Sequence, residues 1–256
     1  MSLYNLIRMH RAEIRFTILL LLCFLTPTHV GAQDLAVSTA TVPVVGAVRG
    51  LGAIEWQTDV AIRNDAPYDV DVVLTLPGVP DDPFLFTTVR ARDTVALPDV
   101  ARSTFGIVNR LSPLRVTTIG ATSVTVAAVV HGLTEHGPTD PQVLTVQYGE
   151  LRPMLAALPG IALNETFRTN LGLVNPTDEE AIIVLALQKV AGRNIAVVSQ
   201  SIPPRTHVQR PLQDFFPLLS EGDNLTVVVE HTNPGAYAYA SVIANATGNA
   251  RYYGPR

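Results

Sequence analysis

The stretch FRTNLGLVNPTDEEAIIVLAL, residues 167–187, rewrites an earlier phrase, EWQTDVAIRNDAPYDVDVVLTL, residues 55–76. A constant offset of 111 places Trp56 on Phe167, Thr58 on Thr169, Asp59 on Asn170, Ile62 on Leu173, Asn64 on Asn175, Leu74 on Leu185 and Leu76 on Leu187. In TNLGLVN, Leu171 and Leu173 alternate with Asn170 and Gly172, the period of a strand with one buried face. Asn-Pro-Thr-Asp then reads as a turn, because asparagine tolerates turn geometry and proline fixes φ while lacking a ladder donor. AIIVLAL, 181–187, is almost continuously apolar, which predicts a central strand covered on both faces. Each copy is therefore a strand, a turn and a strand.

The match extends outward. Upstream, an offset of 110 sets Pro43 on Pro153, Ala47 on Ala157 and Gly50 on Gly160; downstream, 113 sets Pro98 on Pro211 and residues 127–134 on 240–247. A period near 110 exceeds the roughly 20–50 residues of solenoid repeats and matches one small domain. Two tandem domains are expected over 38–149 and 150–256, meeting near Tyr148-Gly149-Glu150 with almost no linker. Within each, short segments rich in Val, Ile, Leu and Thr are punctuated by Pro, Gly, Asn and Asp at roughly 8–12 residue intervals, the pattern of an all-β sandwich. Further strands are expected over 194–202, 225–231 and 237–244. The one helical candidate is 211–219, opened by Pro211 and stopped by Pro217.

Arg8, Arg11 and Arg15, an apolar run over 16–25 and small residues up to Ala32 follow the order of a secretory leader, with cleavage expected after Ala32. The apolar run is too short to span a bilayer, which takes about 20 residues. No integral membrane segment is expected after cleavage. Cleavage removes Cys23, the single cysteine, so the exported chain must hold together without disulfides. It also removes three arginines and one glutamate, taking the formal net charge from −4 to −6. Lys189 is the only lysine and the arginines are scattered in sequence, which argues against nucleic acid as a partner.

FRTNLGLVN, with YASVIANATGN at 239–249, resembles a motif pair of exported, largely uncharacterised proteins of environmental bacteria built from tandem immunoglobulin-like β-sandwiches. The likeness spans nearly all of the chain after residue 32. It is closer in the second half, since the first half has AVVHGLTEHGPTD where the motif ends in asparagine, threonine and glycine. The resemblance implies an immunoglobulin-like fold, an extracellular or periplasmic location and no defined catalytic residues. A looser likeness to pilus-chaperone and sperm-protein sandwiches, through strand-joining VxNP turns, is an analogy of fold.

Chemistry is sparse. HGLTEHGPTD offers His131, Glu135, His136 and Asp140 as metal ligands, but the string matches neither H-E-x-x-H nor its inverse. It reads instead as a polar hairpin loop between strands ending at Val130 and starting at Val143. DAPYDVD, PDDP and DEE lack the order of a calcium loop and read as turns. No G-x-S-x-G, glycine-rich phosphate loop or linked Ser, His and acidic set occurs. Trp56 is matched by Phe167, which predicts a core position. Tyr237 and Tyr239 share one sheet face and could form a sugar-stacking platform.

The expectation is a non-catalytic exported structural or interaction protein with no cofactor, its partner an unknown protein or a surface polysaccharide. Two alternatives accompany it. One is a periplasmic chaperone-like protein that binds by strand addition beside a basic cleft holding Arg152 and Arg168. The other is a carbohydrate-binding protein using Tyr237 and Tyr239.

Overall fold

Side chains that alternate about a pleated backbone build strands throughout the computed structural model, which describes residues 37–50, 54–120, 124–149, 155–189 and 192–254. The leader, its cysteine and Arg152 lie outside the described residues. The first half supplies β1 (Val37–Gly46), β2 (Val48–Arg49), β3 (Glu55–Asn64), β4 (Val70–Thr75), β5 (Phe84–Val89), β6 (Thr94–Leu97), β7 (Leu111–Ile119), β8 (Val124–Thr134), β9 (Gly137–Pro138), β10 (Gln142–Leu144) and β11 (Gln147–Tyr148). The second supplies β12 (Leu155–Leu163), β13 (Phe167–Asn175), β14 (Ala181–Gln188), β15 (Asn194–Ile202), β16 (Thr206–Pro211), β17 (Gly222–His231), β18 (Tyr237–Ala244) and β19 (Ala250–Tyr253). The expected helix shrinks to one turn, α1 (Leu212–Phe215), with Pro211 at its N-terminal boundary.

The chain is all-β, and its antiparallel sheets pair into sandwiches. In the first half, β11-β1-β7-β4-β5 packs on β10-β8-β3, with β2 and β6 also on β3 and β9 on β8. In the second, β12-β17-β14-β15 packs on β16-β13-β18-β19. Among the described residues no sheet mixes strands of the two halves. With the two-residue β2 set aside in the count, the matching phrases occupy the same place twice: β3 and β13 are the second strand of each half, β4 and β14 the third. An immunoglobulin sandwich pairs its first strand with its second and its seventh with its sixth. Here the first strand (β1, β12) pairs with the sixth (β7, β17), and the seventh (β8, β18) with the second, so these two exchange sheets.

Strand pairing corrects the outer parts of the sequence alignment. Val42 faces Leu114 just as Leu158 faces Val227, and an irregularity follows in both β1 and β12. Pro43 therefore matches Pro159, not Pro153. The cause is an insertion: 12 positions separate Gly46 from Thr58, and 7 separate their counterparts Ala162 and Thr169. The last strand also slips by one, because Val60 faces Ala128 and Leu171 faces Ala240. A slip of one flips the pleat; Ala128 and Ala240 both point inward, and Ala127 is exposed. Nor is β14 covered on both sides: Ile183, Leu185 and Leu187 are fully buried, while Ile182 is 42% exposed. β8 runs on to Thr134 and closes through β9, beyond the expected stop at Val130.

Each half has its own apolar core. Val42, Val72, Leu74, Leu114 and Val116 from one sheet meet Val60, Ile62, Val126 and Ala128 from the other. Leu158, Ile183, Leu185, Leu187 and Val227 meet Leu171, Leu173, Ala238 and Ala240 in the second half. Each such leucine or isoleucine contributes roughly 1.5–3 kcal/mol on burial.

At the end of each core sits one fully buried asparagine. Asn64 Nδ2 donates to the carbonyls of Tyr68 (2.7 Å), Val89 (3.0 Å) and Arg90 (3.1 Å), and its Oδ1 accepts from Ala66 N. Asn175 Nδ2 donates to Glu179 (2.7 Å), Ile202 (3.0 Å) and Pro203 (3.1 Å), and its Oδ1 accepts from Thr177 N. One carboxamide thus ties the turn after the second strand to the corner after the fourth.

The two sandwiches pack together through the outer face of the β16-β13-β18-β19 sheet. Val174, Tyr237 and Tyr239 join the apolar cluster of the first half. Tyr237 donates its hydroxyl to Pro43 O at 2.7 Å, and Arg205 pairs with Asp178 of its own half and Asp82 of the other. A Cβ on Gly172 would overlap the Tyr239 ring, so the missing side chain lets the tyrosine lie flat across its neighbouring strand.

Replacing Asn175 by alanine strips three buried carbonyls of a shared donor. It is expected to cost about 3 kcal/mol in urea unfolding, and Asn175→Asp at least as much, since a carboxylate cannot donate. A loss below about 1 kcal/mol for both would reject the role given to this side chain. Gly172→Ala is expected to cost about 1–3 kcal/mol by overpacking. Adding Tyr239→Ala removes the overlap, so the double-variant loss should fall short of the sum; additive losses would contradict the packing described.

Candidate functional site

A groove of about 600 Å³ opens where the two sandwiches meet. Its size falls within the roughly 300–1,000 Å³ of small-molecule sites, which favour interfaces between domains. The inserted residues of the first half put Arg49 and Trp56 on one wall: β2 pairs with the start of β3, setting Val48 opposite Trp56. Trp56 keeps the inward phase of β3 but lies past the end of the core, so the indole lines the groove instead of joining the interior. Gly50 lies against that indole, where a Cβ would stand 2.5 Å from Nε1.

The second half supplies the floor. Arg168 and Asn170 stand on β13, Ser241 on β18 and Arg210 on β16. Arg168 donates to Asn245 Oδ1 at 2.9 Å, and Asn245 Nδ2 is itself held by the carbonyls of Asn164 (3.3 Å) and Glu165 (2.9 Å). Burial lowers the Arg168 pKa from its ordinary value, as desolvation disfavours a cation. No Asp or Glu lines this groove, and among the described residues no carboxylate pairs with Arg49, Arg168 or Arg210. Tyr252 completes the wall, and its buried hydroxyl has no hydrogen-bond partner.

The other sequence candidates are placed differently. His131 lies on β8, its Nε2 2.7 Å from Gln57 Nε2 and its Nδ1 3.7 Å from Asp59. Glu135 and His136 project from the hairpin tip with side chains 86% and 87% exposed. Asp140 accepts from Asn249 Nδ2 of the second half at 2.7 Å. Among the described residues no three His, Cys, Asp or Glu side chains gather about one point. Tyr237 and Tyr239 do share a face, but the first sandwich covers it. They are docking residues, not an exposed platform. Arg168 does stand in a basic cleft between the halves, joined there by Arg49 and Arg210.

A larger hollow of about 860 Å³ also spans the halves. Pro77, Pro113, Pro176 and Pro234 line it together with hydroxyl side chains such as Thr41 and Thr177, and among the described residues Arg115 is its single charged side chain. A third, of about 540 Å³, contains the Arg205–Asp82 ion pair, so its charge is already matched.

The repeats held a signal for the docking face that strand alternation alone does not give. Cross-strand neighbours Ala61 and Ala127, and Arg63 and Thr125, face outward in the first half. Their counterparts are Gly172 and Tyr239, and Val174 and Tyr237. Apolar residues at outward positions of one copy alone mark the surface that copy buries.

No protein-family model matches the chain, and comparison with curated protein sequences gives no match.

His207, beside the groove, sits 2.8 Å through Nε2 from the Tyr239 hydroxyl, which donates to Gln209 Oε1 at 2.5 Å. Burial pushes its pKa down from 6.5 to about 4. The unfolded chain then takes up the proton more readily, so stability is full above about pH 6.5 and declines as pH falls toward 4, by about 3 kcal/mol. His207→Gln keeps an N–H donor but cannot titrate. Urea midpoints at pH 7, 5.5 and 4.5 should show a shallower slope for this variant; equal slopes would remove His207 as the cause.

Proposed function

We propose that this chain is a non-catalytic interaction module that holds an anionic partner in the groove between its sandwiches. Export follows from the leader at 1–32, and the tandem immunoglobulin-like character from the likeness carried by FRTNLGLVN and YASVIANATGN. The supporting observation is electrostatic: a chain with 22 acidic and 18 basic residues lines one groove with three arginines and no carboxylate. Like charges at a site without counterions repel one another, and a bound anion relieves that cost. The same composition weighs against hydrolysis, since among the described residues no carboxylate or histidine lines the groove to serve as general acid or base.

Strand addition remains a second reading, favoured by β15. This nine-residue edge strand, NIAVVSQSI, contains neither charge nor proline, the usual protections of an open edge.

Immobilised protein challenged with polygalacturonate, poly-glutamate and neutral dextran separates these readings. At least one polyanion should bind and weaken as salt rises, dextran should not, and Arg168→Glu with Arg210→Glu should cut polyanion binding more than tenfold. Binding that survives this reversal but is lost in Val197→Pro would favour the β15 edge and overturn the groove.

A further inference from the structure

Resting on the groove reading above, we infer that the occupant is a short acidic oligosaccharide, with a uronate carboxylate held by Arg168. The central strands of the groove floor, β13 and β18, have their backbone already spent, while β16 lies at the sheet edge. β13 is paired on both sides, by β16 and β18, and β18 is paired by β13 and β19. Pro211, at the end of β16, has no N–H to give. An extended peptide laid across β13 and β18 would find no free ladder, so a ligand seated on these two strands is read by side chains.

Those side chains call for three chemical features in one molecule. A planar guanidinium held by Asn245 suits a carboxylate, which it can grip with two parallel hydrogen bonds. Asn170, Gln209 and Gln213 offer amides, which both donate and accept, as hydroxyl groups require. Trp56 offers an apolar ring against which the C–H face of a pyranose can pack, as aromatic side chains do with flat apolar surfaces. A uronic acid unit carries a carboxylate, several hydroxyls and an apolar ring face together. An acidic peptide carries carboxylates and backbone amides but no apolar ring face.

Calorimetric titration of the purified protein with tri-galacturonate, its methyl ester and tri-glutamate tests this. The acid sugar is expected to bind, and both the ester and Arg168→Gln to weaken binding by roughly tenfold to a hundredfold. Arg210→Gln, at an exposed position, supplies a second cation test should Arg168→Gln fail to fold. Equal affinity for acid and ester, or acid binding indifferent to both arginines, would overturn the assignment. If tri-glutamate binds with arginine dependence and the sugar does not, the oligosaccharide falls while the groove reading stands. If no probe binds in an arginine-dependent way, both fall.

Discussion

A sandwich without disulfides must close the ends of its core with loops, and loops bring backbone carbonyls into places water cannot reach. Each unpaired carbonyl there costs about as much as a lost hydrogen bond. Asn64 and Asn175 resolve this in the same way, each presenting two N–H donors to three carbonyls and an oxygen to the following turn. No other side chain carries two N–H donors and a separate acceptor oxygen on so short a stem. The rest of the architecture depends on this bond set, because it joins the turn after the second strand to the corner where the chain crosses between sheets. With that corner fixed, the inward phase of β4 and β14 is fixed as well.

Much of this was legible in the sequence because it is local or repeated. The matched asparagines, the alternation in TNLGLVN and the turn chemistry of Asn-Pro-Thr gave the strand-turn-strand unit twice, and 194–202 and 237–244 became strands at those bounds. Legibility failed where chain length differs between copies. Without the register of β1 against β7, matching prolines at 43 and 153 look as good as the true pair at 43 and 159. A single-residue slip in β18 was equally invisible, since alanine at 127 and 128 suits either register. The candidate site was less legible still. Arg49, Arg168 and Arg210 lie far apart in sequence, and alternation says which residues share a face without saying what covers it.

That limit explains the exchange of roles between aromatic residues. Tyr237 and Tyr239 looked like a platform because they share an outward face, yet outwardness is a property of one sandwich alone. With a second sandwich present, Thr125 and Ala127 keep the polar or small character of a solvated surface, and their tyrosine counterparts bury their rings. Trp56 moved the opposite way. Its alternation points inward, but the core ends before reaching it, and the indole is left at the groove.

The groove therefore belongs to neither sandwich. One wall comes from Trp56 and from the longer segment of the first half that carries Arg49, and the floor from the outward face of β13 and β18 beside the docked tyrosines. Each half has its own core, whose interior need not differ for the outer faces to differ. Outward positions are free to vary, since substitutions away from packed or paired groups usually alter stability by less than about 0.5 kcal/mol. Arginines without counterions are tolerable on such a surface only while water or an anion reaches them. Docking through Tyr237 and Pro43 draws the walls together and takes part of that water from Arg168, which is why charge at this place tells more about a ligand than the same arginine would on an open sheet.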